Sequence, residues 1–457
     1  MLLQTGLLQQ LAADGKRIAI IAPDAQDPKL LALQKNAAIE VFEAAADTNF
    51  WGDEYLFKRK YFLENIKANP ALWEKHMQAV FYNPSRHPWR RIRPFWYYLI
   101  FQLVQIFPQL RQRFLKKEKR YLQSTSVAQL IEKINPALVI STYPVNLLEA
   151  KVLYAAQQQA IPTVIHLLSW DNITSKGKFP VSADYYLVWG EVMRKELVEY
   201  YQPAAERIYS VGVPHFDHHL AVKKQPAVGE LLTNLGLNPQ EPYLFMAMSS
   251  PYFAPKEIDI AERLAEWIEQ DVFGKKMQLV VRPHPQNVSG FMADKSWLPR
   301  LKQLPSTRVA VDYPQLANSK LRWSMAQSDM DHLSNLLIGC SVCLNSGSTV
   351  SIDALVLDKP AILTSFDADA SLSYWKSARR LIDYTHLKKF IEIGGATPVY
   401  AYDELIETIN IYLKNPEYHA DRRAYALEQQ CFSNDGRATE RAVAAMLDIS
   451  TKTRASA

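Results

Sequence analysis

Short apolar runs alternating with helix-patterned stretches, twice over, constrain the fold of this chain more than any other feature. In the first half the runs lie at 17–22, 137–142, 163–168, 184–189 and 207–213, with helical periodicity at 3–13, 146–158 and 191–201. Each run is apolar along its length, as strands of a parallel sheet covered on both faces require. Residues 214–240 are polar and irregular, with several Pro and Lys, and read as a linker. The alternation restarts at 243–248 and continues through 278–281, 308–311, 342–345 and 361–364, before a mostly helical end at 416–447. The expectation is an α/β protein of two open-sheet domains, 1–213 and 241–415, with helices in 416–457 packing back on the first. A chain of 457 residues is too long for one ordinary core and suits two. Two such domains facing one another place a cleft at the carboxyl ends of both sheets, where ligands bind. Domains of this kind normally open on a strand; this chain opens on a helix, so a short N-terminal strand is either missing or dispensed with.

Composition removes several classes of function. The net charge of +5 is mild, and there is neither an aromatic-plus-basic RNA signature nor zinc-finger spacing, so no nucleic-acid partner is expected. The three cysteines, Cys340, Cys343 and Cys431, make no disulfide framework. Cys340 and Cys343 fall in the apolar run 336–344, which reads as one buried strand, and small buried thiols pack as hydrophobes. That usage fits a reducing, cytoplasmic setting. No stretch reaches the ~20 apolar residues of a spanning helix. The opening Met1-Leu2-Leu3 lacks a basic flank and a cleavage site, so no signal peptide is expected.

Two strand ends carry the most chemistry. The run 278–281 passes into Arg282-Pro283-His284-Pro285, where the prolines fix the backbone. Arg282 offers a fork of donors matched to phosphate, and His284 offers a hydrogen bond or a charge to a leaving phosphate. The run 342–345 passes into Ser346-Gly347-Ser348-Thr349 and then an apolar helix containing Asp353. A tight turn at Gly347 and N–H groups at a helix start make an anion site, to which the hydroxyls add donors. Ordinary capping explains Ser and Thr there equally well when they are taken alone. The pairing with the Arg-Pro-His-Pro loop is what favours function.

In the first half, the run 163–168 leads into Ser169-Trp170-Asp171-Asn172, then Thr174-Ser175-Lys176-Gly177-Lys178. Asp171 is the candidate base for an acceptor hydroxyl. Trp170 is a candidate stacking surface, and Asn172 and Lys176 are candidate acceptor contacts. The competing reading is an Asx turn. Asp24 is a weaker base candidate, and His166 reads as a satisfied core histidine. His215, His218 and His219 lack partners at ligand spacing, and Asp367-Ala-Asp369 is too short to specify a metal, so no metal is expected. Arg437 and Arg441 fall one helical turn apart after Asn434-Asp435-Gly436. At 86–121 basic residues flank an aromatic, apolar centre, the pattern either of a helix on an anionic membrane surface or of a core helix with solvated ends.

The twin-domain pattern, Gly212-x-Pro214-x-x-Asp217, the Arg-Pro-His-Pro loop and the Ser-Gly-Ser-Thr helix start together resemble GT-B-fold glycosyltransferases, two Rossmann-like domains facing a cleft. The likeness is to bacterial cell-surface polysaccharide enzymes such as CDP-glycerol glycerophosphotransferase-like and capsule polysaccharide transferases. At fold level it covers nearly the whole chain; the sharp motifs cover 164–217 and 278–355. It implies that His284, Ser346, Ser348 and Thr349 hold a donor's phosphates, and that Asp435, Gly436 and Arg441 match a recurrent terminal segment. Arg282, Gly347, Asp353 and Arg441 complete the expected donor set.

Retaining enzymes of this fold carry a spaced pair of Glu around this helix start; here Ser346 and Asp353 occupy the stretch, so the resemblance implies inversion. The expected activity is metal-independent transfer, without a cofactor, of a sugar or polyol phosphate from a nucleotide-activated donor to a glycan or lipid-linked acceptor. Asp171 and His284 are the catalytic pair of that expectation. UDP, CDP and CMP all remain open. The alternatives are a nucleotide-sugar 2-epimerase of the same fold and a non-catalytic nucleotide- or glycan-binding protein. The expected location is cytoplasmic, with peripheral attachment to the inner face of the plasma membrane where 86–121 acts as a surface helix.

Overall fold

The computed structural model describes residues 3, 5–44, 50–82, 86–291, 294–320 and 324–455; the apolar opening Met1-Leu2 lies outside them. The chain packs as two units. One comprises Met1–Gly212, Tyr384–His386 and Thr439–Ala457, the other Val213–Asp383 and Leu387–Ala438.

In the first unit β1 (Ile18–Ala22) pairs with β2 (Ile39–Glu43), and β3 (Val139–Ser141), β4 (Thr163–His166), β5 (Tyr185–Val188) and β6 (Ile208–Ser210) form a second sheet in that order. All the pairings are parallel. The apolar runs mark every strand except β2. Only Ile39 of β2 is buried, so its sequence, Ile-Glu-Val-Phe-Glu, lacks the continuous apolar signature. The first helix contributes Leu7, Leu8 and Leu11 to a core over Val164 and Leu187, and the last helix contributes Ala442, Val443, Met446 and Ile449. Burial of that apolar face is what brings the chain end into this unit. Among the described residues, five helices, from Phe50–Leu63 to Thr125–Ile134, lie between β2 and β3. Helix Pro70–Phe81 begins with Pro at its first position, and the Asn69 side chain accepts from the Leu72 N–H at 3.1 Å.

Among the described residues the second unit is built on one six-stranded parallel sheet. Its strands are β7 (Tyr243–Ala247), β8 (Gln278–Arg282), β9 (Val309–Val311), β10 (Val342–Asn345), β11 (Ala361–Thr364) and β12 (Thr397–Val399), in the order β12-β11-β10-β7-β8-β9. This is the doubly wound arrangement. Every residue of β7, β8, β10 and β11 is buried, which is why these strands read as apolar runs. β12 escapes that reading because it is a three-residue edge strand containing Pro398, which only an edge tolerates.

Two expectations change here. Residues 214–240, read as an irregular linker, hold a turn of 3-10 helix at Pro214–Phe216 and helices Asp217–Lys223 and Val228–Asn234. Leu231, Leu232 and Leu237 bury against Tyr243 and Phe245, a core contribution that the polar composition hides. The apolar run 336–344 is not one strand, because its first part ends helix Gln327–Gly339 and β10 begins only at Val342. Apolar content alone does not separate a buried helix end from a buried strand. The three cysteines are free and buried.

Candidate functional site

Connections leave β7 and β10 in opposite directions, so the switch point of the six-stranded sheet lies between these neighbours. Ser249 and Ser250 follow β7, and Ser346-Gly347-Ser348-Thr349 follows β10. Gly347 sits at φ +98°, and a Cβ there would lie 2.7 Å from Leu387 Cδ2, so backbone and packing both demand glycine. The Asn345 side chain folds over the turn, and its Oδ1 accepts from the N–H groups of Gly347 at 2.9 Å and Ser348 at 2.8 Å. The backbone donors expected to face an anion are therefore satisfied within the loop, while Gly347, Ser348 and Thr349 stay half-buried at its edge.

Ser346 is buried. Its hydroxyl donates to Glu257 Oε1 at 2.7 Å and lies 2.8 Å from the Thr364 hydroxyl. Glu257 Oε2 accepts from the Ser249 N–H at 2.5 Å, so one carboxyl joins the ends of β7, β10 and β11. Burial pushes this carboxyl up to about 7, against the pull of the Ser346 and Ser249 hydrogen bonds. The folded state then holds a proton that the unfolded chain releases near pH 4.5, so stability falls as pH rises from about 4.5 to about 7 and levels off above. That difference corresponds to about 3 kcal/mol. Glu257→Gln is expected to lose this dependence: relative to the parent it gains about 3 kcal/mol between pH 4.5 and pH 8 in urea unfolding. A difference between the two proteins that stays constant with pH contradicts the assignment.

Arg282 at the end of β8 is buried, and its guanidinium is held by two carboxylates: one terminal nitrogen pairs with Asp312, the other with Asp329 Oδ2 at 2.6 Å. Asp312 also accepts from His332 Nε2 at 2.6 Å. The phosphate-matched fork is thus spent inside the unit. His284 Nδ1 accepts from the Gln286 N–H at 3.1 Å, which leaves Nε2 to carry the proton. Burial pushes His284 down to about 4, so it offers a hydrogen bond and not a charge. Two residues with orphaned polar atoms complete this end of the sheet: Ser250 Oγ and both amide atoms of Asn287 are buried with no hydrogen-bond partner among the described residues. Each such group costs about 1–3 kcal/mol unless something binds it. Asp353 is turned instead to His219 Nε2 at 2.7 Å, while His219 Nδ1 meets Ser334 Oγ at 2.8 Å.

In the first unit the loop after β4 gathers around Asp171. Its Oδ1 accepts from Ser169 Oγ at 2.6 Å, and its Oδ2 accepts from Ser175 Oγ and Lys176 Nζ, both at 2.7 Å. Burial raises this carboxyl, but Lys176, His386 and Ser169 together hold it well below the ordinary carboxylate range. Lys75, from helix Pro70–Phe81, is an exposed residue whose ammonium donates to the Ser175 carbonyl at 2.7 Å. Desolvation of the ammonium, with Lys60 and Lys176 nearby, pushes it down to about 7. Trp170 is buried edge-on against His386 at 4.9 Å, so it is no open stacking surface. Asn172 Oδ1 and both ring nitrogens of His166 are buried with no hydrogen-bond partner among the described residues, so His166 is a core histidine but an unsatisfied one.

Neither Lys75 nor Glu257 belongs to a motif, and the sequence carried no signal for either. The remaining candidates serve local structure. Asp24 Oδ1 accepts from the Gln26 N–H at 2.9 Å as an Asx turn. Arg441 lies in the first unit, where its Nε donates to the Val211 carbonyl at 3.0 Å. Asp435 Oδ1 accepts from the Arg437 N–H at 3.0 Å, and Asp217 Oδ1 from the Ala438 N–H at 3.0 Å. Asp367 accepts from the Ala378 N–H at 2.9 Å, whereas Asp369 lies 3.6 Å from Arg263, so the two carboxylates serve different contacts. Among the described residues no group of three or more His, Cys, Asp or Glu is arranged to hold a metal.

No protein-family model matches the chain, and no curated protein matches it by sequence. Solved structures do. UDP-GlcNAc 2-epimerase from Neisseria meningitidis, bound to UDP-GlcNAc, aligns over 97% of this chain and 96% of its own at 11% identity and TM-score 0.54. A glycosyltransferase from Rickettsia africae aligns over 99% of this chain and 94% of its own at 11% identity and TM-score 0.50. At such identities the likeness establishes the fold, a GT-B-like Rossmann-type α/β architecture.

Proposed function

We propose that the chain is an enzyme acting on a nucleotide-activated sugar or polyol phosphate, and that it is an inverting, metal-independent transferase to a glycan or lipid-linked acceptor. The observation that carries this reading is the β7–β10 switch point, with its half-buried Ser348 and Thr349, the Nε2–H of neutral His284, and the unpaired Ser250 and Asn287. Hydroxyl, amide and imidazole donors at a switch point suit the phosphates of a nucleotide donor. Arg282 supports the loop through Asp312 and Asp329 and does not itself contact the donor.

The step is a displacement. With a sugar donor, an acceptor oxygen bonds to the anomeric carbon and the bond from that carbon to the phosphate oxygen breaks; with a polyol phosphate donor, the acceptor oxygen bonds to the distal phosphorus and the bond from that phosphorus to the nucleotide's phosphate oxygen breaks; in both, the electron pair leaves with the nucleotide. The acceptor's proton passes to Asp171. Ser169, Ser175 and Lys176 keep this carboxylate ionised, the form in which it can accept that proton. Asp171→Asn is expected to lower transfer by about 100-fold or more while changing donor affinity less than about twofold. A fully active variant removes Asp171 from this role.

The second reading is a nucleotide-sugar 2-epimerase, favoured by the end-to-end likeness to the Neisseria enzyme. A panel of UDP-, CDP- and CMP-activated donors, each incubated with the purified protein, separates the two. Release of a nucleotide supports transfer, and a changed sugar still attached to its nucleotide supports epimerisation. Peripheral attachment to the inner face of the plasma membrane is part of the transferase reading.

A further inference from the structure

Helix Pro88–Ile106 is apolar on two opposite faces. The inner face buries Tyr97, Phe101 and Val104. On the other, Ile92, Phe95, Trp96, Leu99, Leu103 and Ile106 are all exposed, from 38% at Leu103 to 67% at Ile106. Their spacing of i, i+3, i+4, i+7, i+11 and i+14 lines them up as one stripe about 21 Å long. Isolated exposed apolar residues are ordinary, but a continuous stripe marks a surface that something covers.

The next helix, Gln109–Leu122, buries Phe114 and Leu122. Arg113, Lys116, Lys117 and Arg120 are exposed at i, i+3, i+4 and i+7, on the side away from those two residues. The sole acid of either helix, Glu118, is buried, paired with Arg59 and taking the Tyr55 hydroxyl at 2.6 Å. No exposed acid therefore offsets the cations along these two helices. No helix among the described residues is long and apolar enough to cross a membrane.

We propose that residues 88–122 form a membrane-docking surface: the stripe enters one leaflet at the level where headgroups meet acyl chains, and the cations of the second helix engage anionic headgroups. An anionic bilayer satisfies both features together. A second copy of the chain does so poorly, because a two-fold contact sets each patch against itself and opposes cation to cation. The inference sharpens the peripheral attachment of the proposed function and rests on that reading for its setting only, not for its chemistry.

The test is sedimentation of the full chain with vesicles of phosphatidylcholine alone and with added phosphatidylglycerol, at low and high salt. The parent is expected to pellet with the anionic vesicles at low salt and to be released by salt. Trp96→Ser/Leu99→Ser/Leu103→Ser, and separately Arg113→Ser/Lys116→Ser/Lys117→Ser, are each expected to lower binding at least about tenfold. Both variants alter exposed side chains, so nucleotide release in vesicle-free solution and the circular dichroism spectrum are expected to stay unchanged. A parent that stays in the supernatant overturns the proposal, as do variants that pellet like the parent. So does a parent dimer that the serine variant returns to monomer without any vesicle binding. Vesicle binding by a protein that consumes no nucleotide donor sinks the transferase reading and leaves this surface standing.

Discussion

Arg282→Ala is expected to destabilise the second unit by about 3–5 kcal/mol, the cost of breaking a buried ion pair from one side. Asp312 and Asp329 are both buried, and each spends one oxygen on Arg282. Their other oxygens are committed, Asp312 to His332 Nε2 at 2.6 Å and Asp329 to the Gln315 N–H at 2.8 Å, so neither carboxylate can turn to water without losing a second contact. Removing the guanidinium leaves two like charges facing a void. The measurement is urea unfolding followed by circular dichroism. Adding Asp312→Asn and Asp329→Asn to Arg282→Ala is expected to recover part of the loss, because neutral amides need no counter-charge. An Arg282→Ala protein that unfolds at the parent's midpoint but no longer binds a nucleotide donor reverses the assignment and makes Arg282 a ligand contact.

That result bears on how far a sequence exposes a site. The Arg-Pro-His-Pro and Ser-Gly-Ser-Thr loops were legible because each combines a buried strand with rigid punctuation, and both lie at strand ends of one sheet. Their side-chain roles were not legible, because those roles depend on partners distant along the chain. Arg282 meets carboxylates 30 and 47 residues away, and Ser346 meets Glu257 across 89 residues. Residue type says that an arginine can bind phosphate; only packing says that two aspartates already occupy it. The strands divide in the same way. Fully buried β7, β8, β10 and β11 announce themselves, whereas β2, with one buried residue, and β12, with Pro398 at an edge, do not. In 336–344 the apolar signal was real, and helix and strand shared it.

His284→Ala is expected to lower kcat/KM for donor turnover by about 100- to 1,000-fold, the usual effect of deleting one positioned donor at a centre of developing negative charge. The fold should suffer little: the imidazole caps a helix of four residues through one hydrogen bond, a contribution of about 1 kcal/mol. The mechanism depends on which form of the ring acts. His284 is pushed down to about 4, so in the folded protein it is neutral from about pH 5 upward. Because the folded value lies below the ordinary 6.5, its stability contribution is complete above pH 6.5 and is lost as pH falls towards about 4. Turnover should therefore show no His284 ionisation between pH 5 and pH 9, and His284→Asn, which keeps an N–H donor without a titrating ring, should retain more activity than His284→Ala. If the parent instead loses activity as pH rises through 6 to 7, and His284→Ala abolishes that limb, the group at work is a charged imidazolium. The neutral hydrogen-bond donor deduced from the Gln286 contact is then wrong.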